Sequence, residues 1–179
     1  MIIWTATRLV FALILLCFAA YRQESSGLAK LHVSLGYSYV LVSSSSTSLG
    51  SQSLNGADVS ASYQAKPWLR LVADFGLASA GYRSSYLLGP CFVLPLGRAT
   101  PFAQVLFGVA HANAGTFDNG SKQTDFAWAL GGGFDYQLTP RFALRPMQLE
   151  VLRTNFFELQ GSKLTQNDFR AFTGIVFRF

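Results

Sequence analysis

The stretch Phe169-Arg170-Ala171-Phe172-Thr173-Gly174-Ile175-Val176-Phe177-Arg178-Phe179 decides how the chain folds. Phe169, Ala171, Thr173, Ile175, Phe177 and Phe179 fall on one side of an extended backbone. Arg170, Phe172, Gly174, Val176 and Arg178 fall on the other. Because alternate side chains of a strand point to opposite faces, a segment of this length with one mostly apolar face reads as a membrane-crossing β-strand. Its last aromatic residue then sits at the level of an interfacial girdle.

Working back from that strand, seven more segments of similar length emerge, divided by turn-rich punctuation. The first covers Lys30 to Val42, with Val33, Leu35, Tyr37 and Tyr39 opposing Ser34, Gly36 and Ser38. Ser43 to Gly56 is polar and reads as a loop, and Ala57 to Ala65 is the cleanest period-two pattern in the chain. Lys66-Pro67-Trp68 makes a tight turn into Leu69 to Ala78, and Ser79 to Ser84 is a loop before a strand from Ser85 to Val93. Leu94 to Thr100 turns into Pro101 to Ala112, and polar Asn113 to Asp125 leads to Phe126 to Leu138. Thr139-Pro140-Arg141 is short, Phe142 to Arg153 is the seventh strand, and Thr154 to Asn167 is a long loop before the eighth. Pro90 and Pro146 lie inside strands and predict bulges or local interruptions.

Three short turns thus alternate with four longer loops. This is the asymmetry of an outer-membrane barrel, with short periplasmic turns and longer external loops. The expectation is an all-β fold, an eight-stranded antiparallel transmembrane up-and-down β-barrel over residues 30–179, with both ends on the periplasmic side. A soluble lipocalin-like binding barrel is the alternative, and it would keep its apolar residues inside.

The N-terminus supplies an address. Leu9 to Ala20 is apolar but too short to span as a helix, with Arg8 before it and Ala19-Ala20 at its end. Residues 1–20 therefore read as a secretory signal peptide, and residues 21–29 as a periplasmic segment. Leu15 and Leu16 before Cys17 do not fit a lipobox. Cleavage would leave Cys91 as the only cysteine, so no internal disulfide is expected. The formal charge of +5 is spread along the chain without a basic stripe, which argues against a nucleic-acid partner. No Cys/His cluster suggests a metal, and no cofactor is expected.

Eight strands enclose a lumen that side chains can just fill. Small inward residues at Gly36, Ser60, Gly76, Gly131, Gly133 and Gly174 leave room for Asp58, Arg70, Asp74, Gln104, Asp135, Glu150, Arg170 and Arg178. These eight are expected to pair, since an isolated charge there would be costly. A conducting pore is not expected at this strand number.

Several phrases carry a family likeness: Leu88-Gly89-Pro90, Thr100-Pro101-Phe102-Ala103 running into Leu106-Phe107-Gly108, Gly131-Gly132-Gly133 before Phe134-Asp135-Tyr136, and Gly174 to Phe179. In these the chain resembles the OmpA-like and opacity-type outer membrane protein β-barrel domain family over nearly its whole mature length. The resemblance implies a cell outer membrane protein surrounded by lipid. It also implies that Phe177 and Phe179 form a C-terminal signal read by the barrel-assembly machinery. Such barrels serve as structural envelope proteins or bind surface ligands through their loops, and a monomer is expected. No peptidoglycan-binding module follows Phe179, so an anchoring role is not expected.

His111 is the one residue that invites an enzyme reading. By parity with Val105, Phe107 and Val109 it faces lipid. Lipid A deacylases carry a His and a Ser two residues apart on that wall, with a carboxylate orienting the His. Here position 113 is Asn, so Ser121 or a loop serine, with Asp118 or Asp125, would have to substitute. An interfacial histidine without catalytic duty is the reading favoured, and the chain is expected not to be an enzyme. His32, far away on the first strand, has no metal-ligand spacing to His111, and Cys91 reads as a small inward residue.

Overall fold

The computed structural model describes residues 30–43, 52–78, 83–113, 122–156 and 164–179. Eight strands follow one another: β1 (Leu31–Ser43), β2 (Gln52–Lys66), β3 (Leu69–Ala78), β4 (Arg83–Val93), β5 (Ala99–Asn113), β6 (Lys122–Gln137), β7 (Phe142–Phe156) and β8 (Leu164–Arg178). Each pairs antiparallel with its neighbours in sequence, and β8 returns to β1 to close the barrel. Closure is the condition for a sheet to cross hydrocarbon, where an unpaired backbone group costs several kcal/mol.

The ladder register fixes the barrel's shape. A walk from Val33 through Ala61, Ala73, Leu88, Phe107, Trp128, Arg153 and Asn167 returns to β1 at Ser43, ten residues further along. With eight strands, that offset tilts the strands by about 42° from the axis, inside the usual range for closed barrels. About ten residues of each strand then cover an apolar band of ~25 Å.

The outside of that band is apolar. Leu35, Leu71, Leu88, Leu130 and Ile175 stand exposed on it, Leu88 by as much as 63%. Aromatic residues mark both edges. Tyr63, Trp68, Phe92, Phe134, Tyr136 and Phe142 lie toward the short turns, and Tyr37, Tyr39, Tyr86, Phe126 and Phe169 toward the other end. Trp68 stacks on Phe92 at 6.1 Å with Lys66 over its ring, and Phe142 meets Phe177 edge-on at 5.3 Å. This outward apolar surface is the reverse of a lipocalin, whose apolar side chains line the interior.

Several strands reach further than the sequence pattern suggests: β4 starts at Arg83 and β7 runs on to Phe156. β2 begins at Gln52, β6 at Lys122 and β8 at Leu164, inside stretches read above as loops. Gln52 to Gly56 pair with Ser38 to Val42, and Lys122 to Asp125 pair with Ala110 to Asn113. Above the membrane both faces of a strand are wet, so apolar alternation fades while the backbone ladder continues. The short connections are Pro67-Trp68, 94–98 and 138–141, with Gly97 taking the positive φ of 63° that the second of these requires.

The two in-strand prolines behave differently. At Pro146 the β7–β8 register shifts between Arg145 and Gln148, a bulge that puts one extra residue on β7. At Pro90 no register shift occurs. The β4–β5 ladder instead skips Gly89 and Pro90, while Pro90 stays in register with Leu71 on β3. The ring removes a donor from one edge of β4 without displacing the strand.

Candidate functional site

The lumen is divided lengthwise. On the β3 to β7 side, Val72, Leu87, Cys91, Val93, Phe102, Leu106, Ala129 and Leu152 pack as an apolar core. An eight-stranded barrel has the interior of a packed protein, so bulky residues on β4, β5 and β7 serve inside as readily as outside. This is why the sequence leaves their sidedness open. Cys91 is buried in this core as a free thiol.

The remaining space is filled by a braced polar network. Arg170 on β8 is 3% exposed and reaches three other strands. Its Nη1 donates to Asp58 Oδ1 on β2 at 3.2 Å, its Nη2 to Asp74 Oδ1 on β3 at 2.9 Å, and its Nε to Glu150 Oε2 on β7 at 2.7 Å. Nη2 also pairs with Glu150. Gln104 and Gln148 both donate to Glu150 Oε1. Beside this cluster the Ser34 and Ser60 hydroxyls bond across β1 and β2 at 2.6 Å. Gly76 makes the close approach possible, because a Cβ there would lie 2.3 Å from Asp58 Oδ1 and 3.0 Å from Arg170 Nη1.

A second cluster sits nearer the short turns. Asp135 on β6 receives Arg145 Nε at 2.7 Å and Arg70 Nη1 at 3.2 Å. Arg70 also donates to Gln64 at 2.7 Å, and Arg145 to Gln148 at 2.7 Å, which links the clusters through Gln148 and Glu150. Arg145 packs its guanidinium 4.5 Å from the Phe102 ring centroid. At the far end Arg83 on β4 crosses to Asp168 on β8 at 2.7 Å and donates to Thr154.

Seven of the eight residues expected to share the lumen meet in these contacts: Asp58, Arg70, Asp74, Gln104, Asp135, Glu150 and Arg170. Arg178 does not join them. It stands at the other end of β8 in register with His32, and its buried Nε has no hydrogen-bond partner among the described residues. Arg145, Gln148, Arg83 and Asp168 belong to the network without having been expected there. The bulge explains the first two: one extra residue turns both Arg145 and Gln148 inward, and Pro146 was its only sequence signal. Asp168 and Arg83 lie in or beside stretches read as loops.

On the outer wall His111 faces away from the lumen, as its parity suggests. Its Nδ1 lies 2.6 Å from Thr124 Oγ1, and its ring meets Tyr86 edge-on at 5.6 Å. Ser84 stands opposite it on β4 in register. Asp125 occupies the inward face with Ala110, so it cannot orient the imidazole. Ser121 and Asp118 lie outside the described residues. The hydroxyl of Thr124 fixes the ring but supplies no negative charge to stabilise an imidazolium, which a hydrolase triad needs. Phe177 packs on Phe142, and Phe179 exchanges backbone bonds with Leu31 at 2.8 and 3.3 Å.

The sequence profile for the outer membrane protein beta-barrel domain matches residues 9–179. The chain belongs to that family. Its members' architecture is what closure, outward apolar band and polar lumen already describe, and the protein is an outer-membrane β-barrel. Among solved structures, the chain is similar to Neisserial surface protein A, with a TM-score of 0.64 and 18% identity over 86% of this chain and 100% of that one. It is similar to Ail, the attachment invasion locus protein of Yersinia pestis, with a TM-score of 0.59 and 15% identity over 86% of this chain and 100% of Ail. The N-terminal β-barrel domain of Pseudomonas aeruginosa OprF matches at 0.54 and 12% over 86% and 100%. At these identities the likeness establishes the fold. Ail has also been crystallised with the heparin analogue sucrose octasulfate. No curated protein sequence matches the chain.

Proposed function

We propose that this outer-membrane barrel is a non-enzymatic envelope protein, working as a rigid monomeric scaffold for the segments that join its strands at the end opposite the short turns. The observation that carries this reading is the bracing by Arg170, one side chain tying β8 to β2, β3 and β7. Charge-assisted bonds in a low-dielectric interior are strong and directional, so a lumen crossed by them holds its rim fixed and has little room to conduct. A fixed rim is what loop-borne recognition needs.

The rim segments are 44–51, 79–82, 114–121 and 157–163. Their only charges are Asp118, Glu158 and Lys163, and the rest are Ser, Gly and other neutral residues with Leu49, Phe117 and Phe157. A polyanion of the heparin type needs clustered cations, which these segments do not supply, so the sulfated ligand named for Ail is not transferred. A neutral glycan or protein surface suits them better. Within this reading residues 1–20 are the export signal, residues 21–29 precede the barrel on the periplasmic side, and Phe177 and Phe179 present the last strand to the assembly machinery.

The test exchanges 44–51, 114–121 and 157–163 for tight turns in cells that express the protein. Adhesion to host-cell or matrix surfaces should fall to the level of cells lacking it, while the heat-dependent shift in electrophoretic mobility is kept. Full adhesion by the trimmed barrel would overturn the recognition reading.

A further inference from the structure

The charged side chains exposed at the short-turn end are all of one sign. Lys30, Arg98 and Arg141 stand exposed just before β1, β5 and β7, and Lys66 stands exposed at the end of β2. The only acidic side chain among the described residues of this end is Asp135, which is buried and held by Arg70 and Arg145. Around the other end, Arg83, Lys122, Arg153 and Lys163 are offset in formal charge by Asp118, Asp125, Glu158 and Asp168. The positive excess at the surface therefore belongs to one rim.

Backbone bonds fix where these cations stand. The Lys30 carbonyl accepts from Gln64 N at 2.7 Å, and the Arg141 carbonyl accepts from Arg178 N at 2.9 Å. Arg141, Lys30 and Lys66 thus lie on one arc of the rim, which runs from β7 across the β8–β1 seam to β2. The Arg98 carbonyl accepts from Gln137 N at 2.7 Å on the β5–β6 side. Large apolar side chains stand among the cations: Leu94, Leu96 and Leu138 are exposed by 60%, 58% and 61%. Trp68 stacks on Phe92 and carries the Lys66 ammonium 5.4 Å from its ring centroid. Leucines and aromatic rings interleaved with Lys and Arg are the composition of a surface seated where acyl chains meet headgroups. A rim that projected into water would not favour such leucines at its turns. The cations then stand at the depth of the lipid phosphates.

From the single sign of the charge and this apolar setting together, we propose that the short-turn rim is a binding surface for anionic phospholipid, gathering headgroups of the phosphatidylglycerol type from the leaflet around it. Arg98 and Arg141 offer planar donors that match phosphate oxygens, and Lys30 and Lys66 act as point charges. Such attraction reaches about one Debye length, ~8 Å at physiological salt, so it selects the lipids that touch the wall. The surface is independent of recognition by the longer connections, which lie at the opposite end. It sets the depth of the barrel and the lipids beside it.

The experiment reconstitutes the full mature barrel in phosphatidylcholine vesicles that contain phosphatidylglycerol, with bromine carried on the acyl chains of one lipid or the other. Trp128→Phe leaves Trp68 as the reporter at the short-turn rim, and Trp68→Phe leaves Trp128 as the reporter toward the other end. Quenching of Trp68 should show phosphatidylglycerol preferred over phosphatidylcholine by about threefold or more, with the preference lost in high salt. Trp128 should show none. Lys30→Gln, Lys66→Gln, Arg98→Gln and Arg141→Gln combined should abolish the preference while the heat-modifiable mobility is kept. If the combined variant does not fold, Lys66→Gln alone should reduce the preference at Trp68 and Lys66→Arg should keep it. The proposal is overturned by equal quenching by the two lipids at Trp68, by an equal preference at both reporters, or by a preference unchanged in the folded combined variant or in Lys66→Gln. Co-sedimentation with purified peptidoglycan that the combined variant loses, with no lipid preference in the parent, overturns it as well and makes an acidic wall polymer the partner.

Discussion

Replacing Arg170 with Met keeps much of the side-chain length and removes the guanidinium. Three carboxylates, each with a side chain no more than 5% exposed, then lose the group they share. Breaking a buried ion pair by removing one partner costs about 3–5 kcal/mol, because the other charge stays buried without compensation. Here three charges are left, but proton uptake caps what each can cost, so the loss is set at about 4 kcal/mol. A loss of that size is a large part of the 5–15 kcal/mol that typically holds a domain folded. Urea unfolding in lipid vesicles, followed by the fluorescence of Trp68 and Trp128, measures it. The variant with Asp58→Asn, Asp74→Asn and Glu150→Gln added should recover most of the loss, since none of the three carboxylates is then left buried without its partner. The bracing argument fails if Arg170→Met costs under about 1 kcal/mol, or no more than Arg178→Met, whose guanidinium lies outside the network.

Other outcomes follow from the wall itself. A Cβ at Gly36 would lie 2.0 Å from the Thr173 carbonyl and 2.6 Å from Gly174 Cα, so Gly36→Ala should disrupt the β1–β8 seam and deplete the heat-modifiable band on gels; normal closure would refute that contact. Leu88→Arg, at mid-band on the lipid face, should cost about 2–4 kcal/mol, against about 0–1 for Asn55→Arg at the rim; equal costs in vesicle unfolding would mean the band is misplaced. His111→Ala should leave the acyl pattern of lipid A in expressing cells unchanged by mass spectrometry, and a change there would revive a hydrolase.

Much of the architecture is legible from alternation alone wherever one face meets lipid and the other carries polar or small residues. β2, β3 and β8 are of this kind: Asp58 and Ser60, Arg70 and Asp74, and Arg170 all alternate with apolar neighbours. The signal weakens where the lumen itself is apolar, as at Leu87, Leu106 and Leu152, since hydrocarbon and a packed interior select the same side chains. It also weakens at the rim, where Gln52 to Gly56 pair as strand with water on both sides. The partners of Arg170 are a different matter. Which strands face one another across the lumen depends on the ten-residue offset, a property of the closed sheet that no single strand encodes. Arg145 and Gln148 needed one thing more, the extra residue at Pro146.

Arg170 lies on the strand that comes last in the chain, while two of its three acidic partners lie on the second and third. Until β8 docks, Asp58 and Asp74 lack the guanidinium they share in the closed barrel, and an open sheet moving into hydrocarbon would carry them there without it. The order of the chain thus penalises premature insertion and rewards it once the final hairpin arrives. The brace acts as a keystone, setting the sequence of assembly as well as the strength of the finished wall.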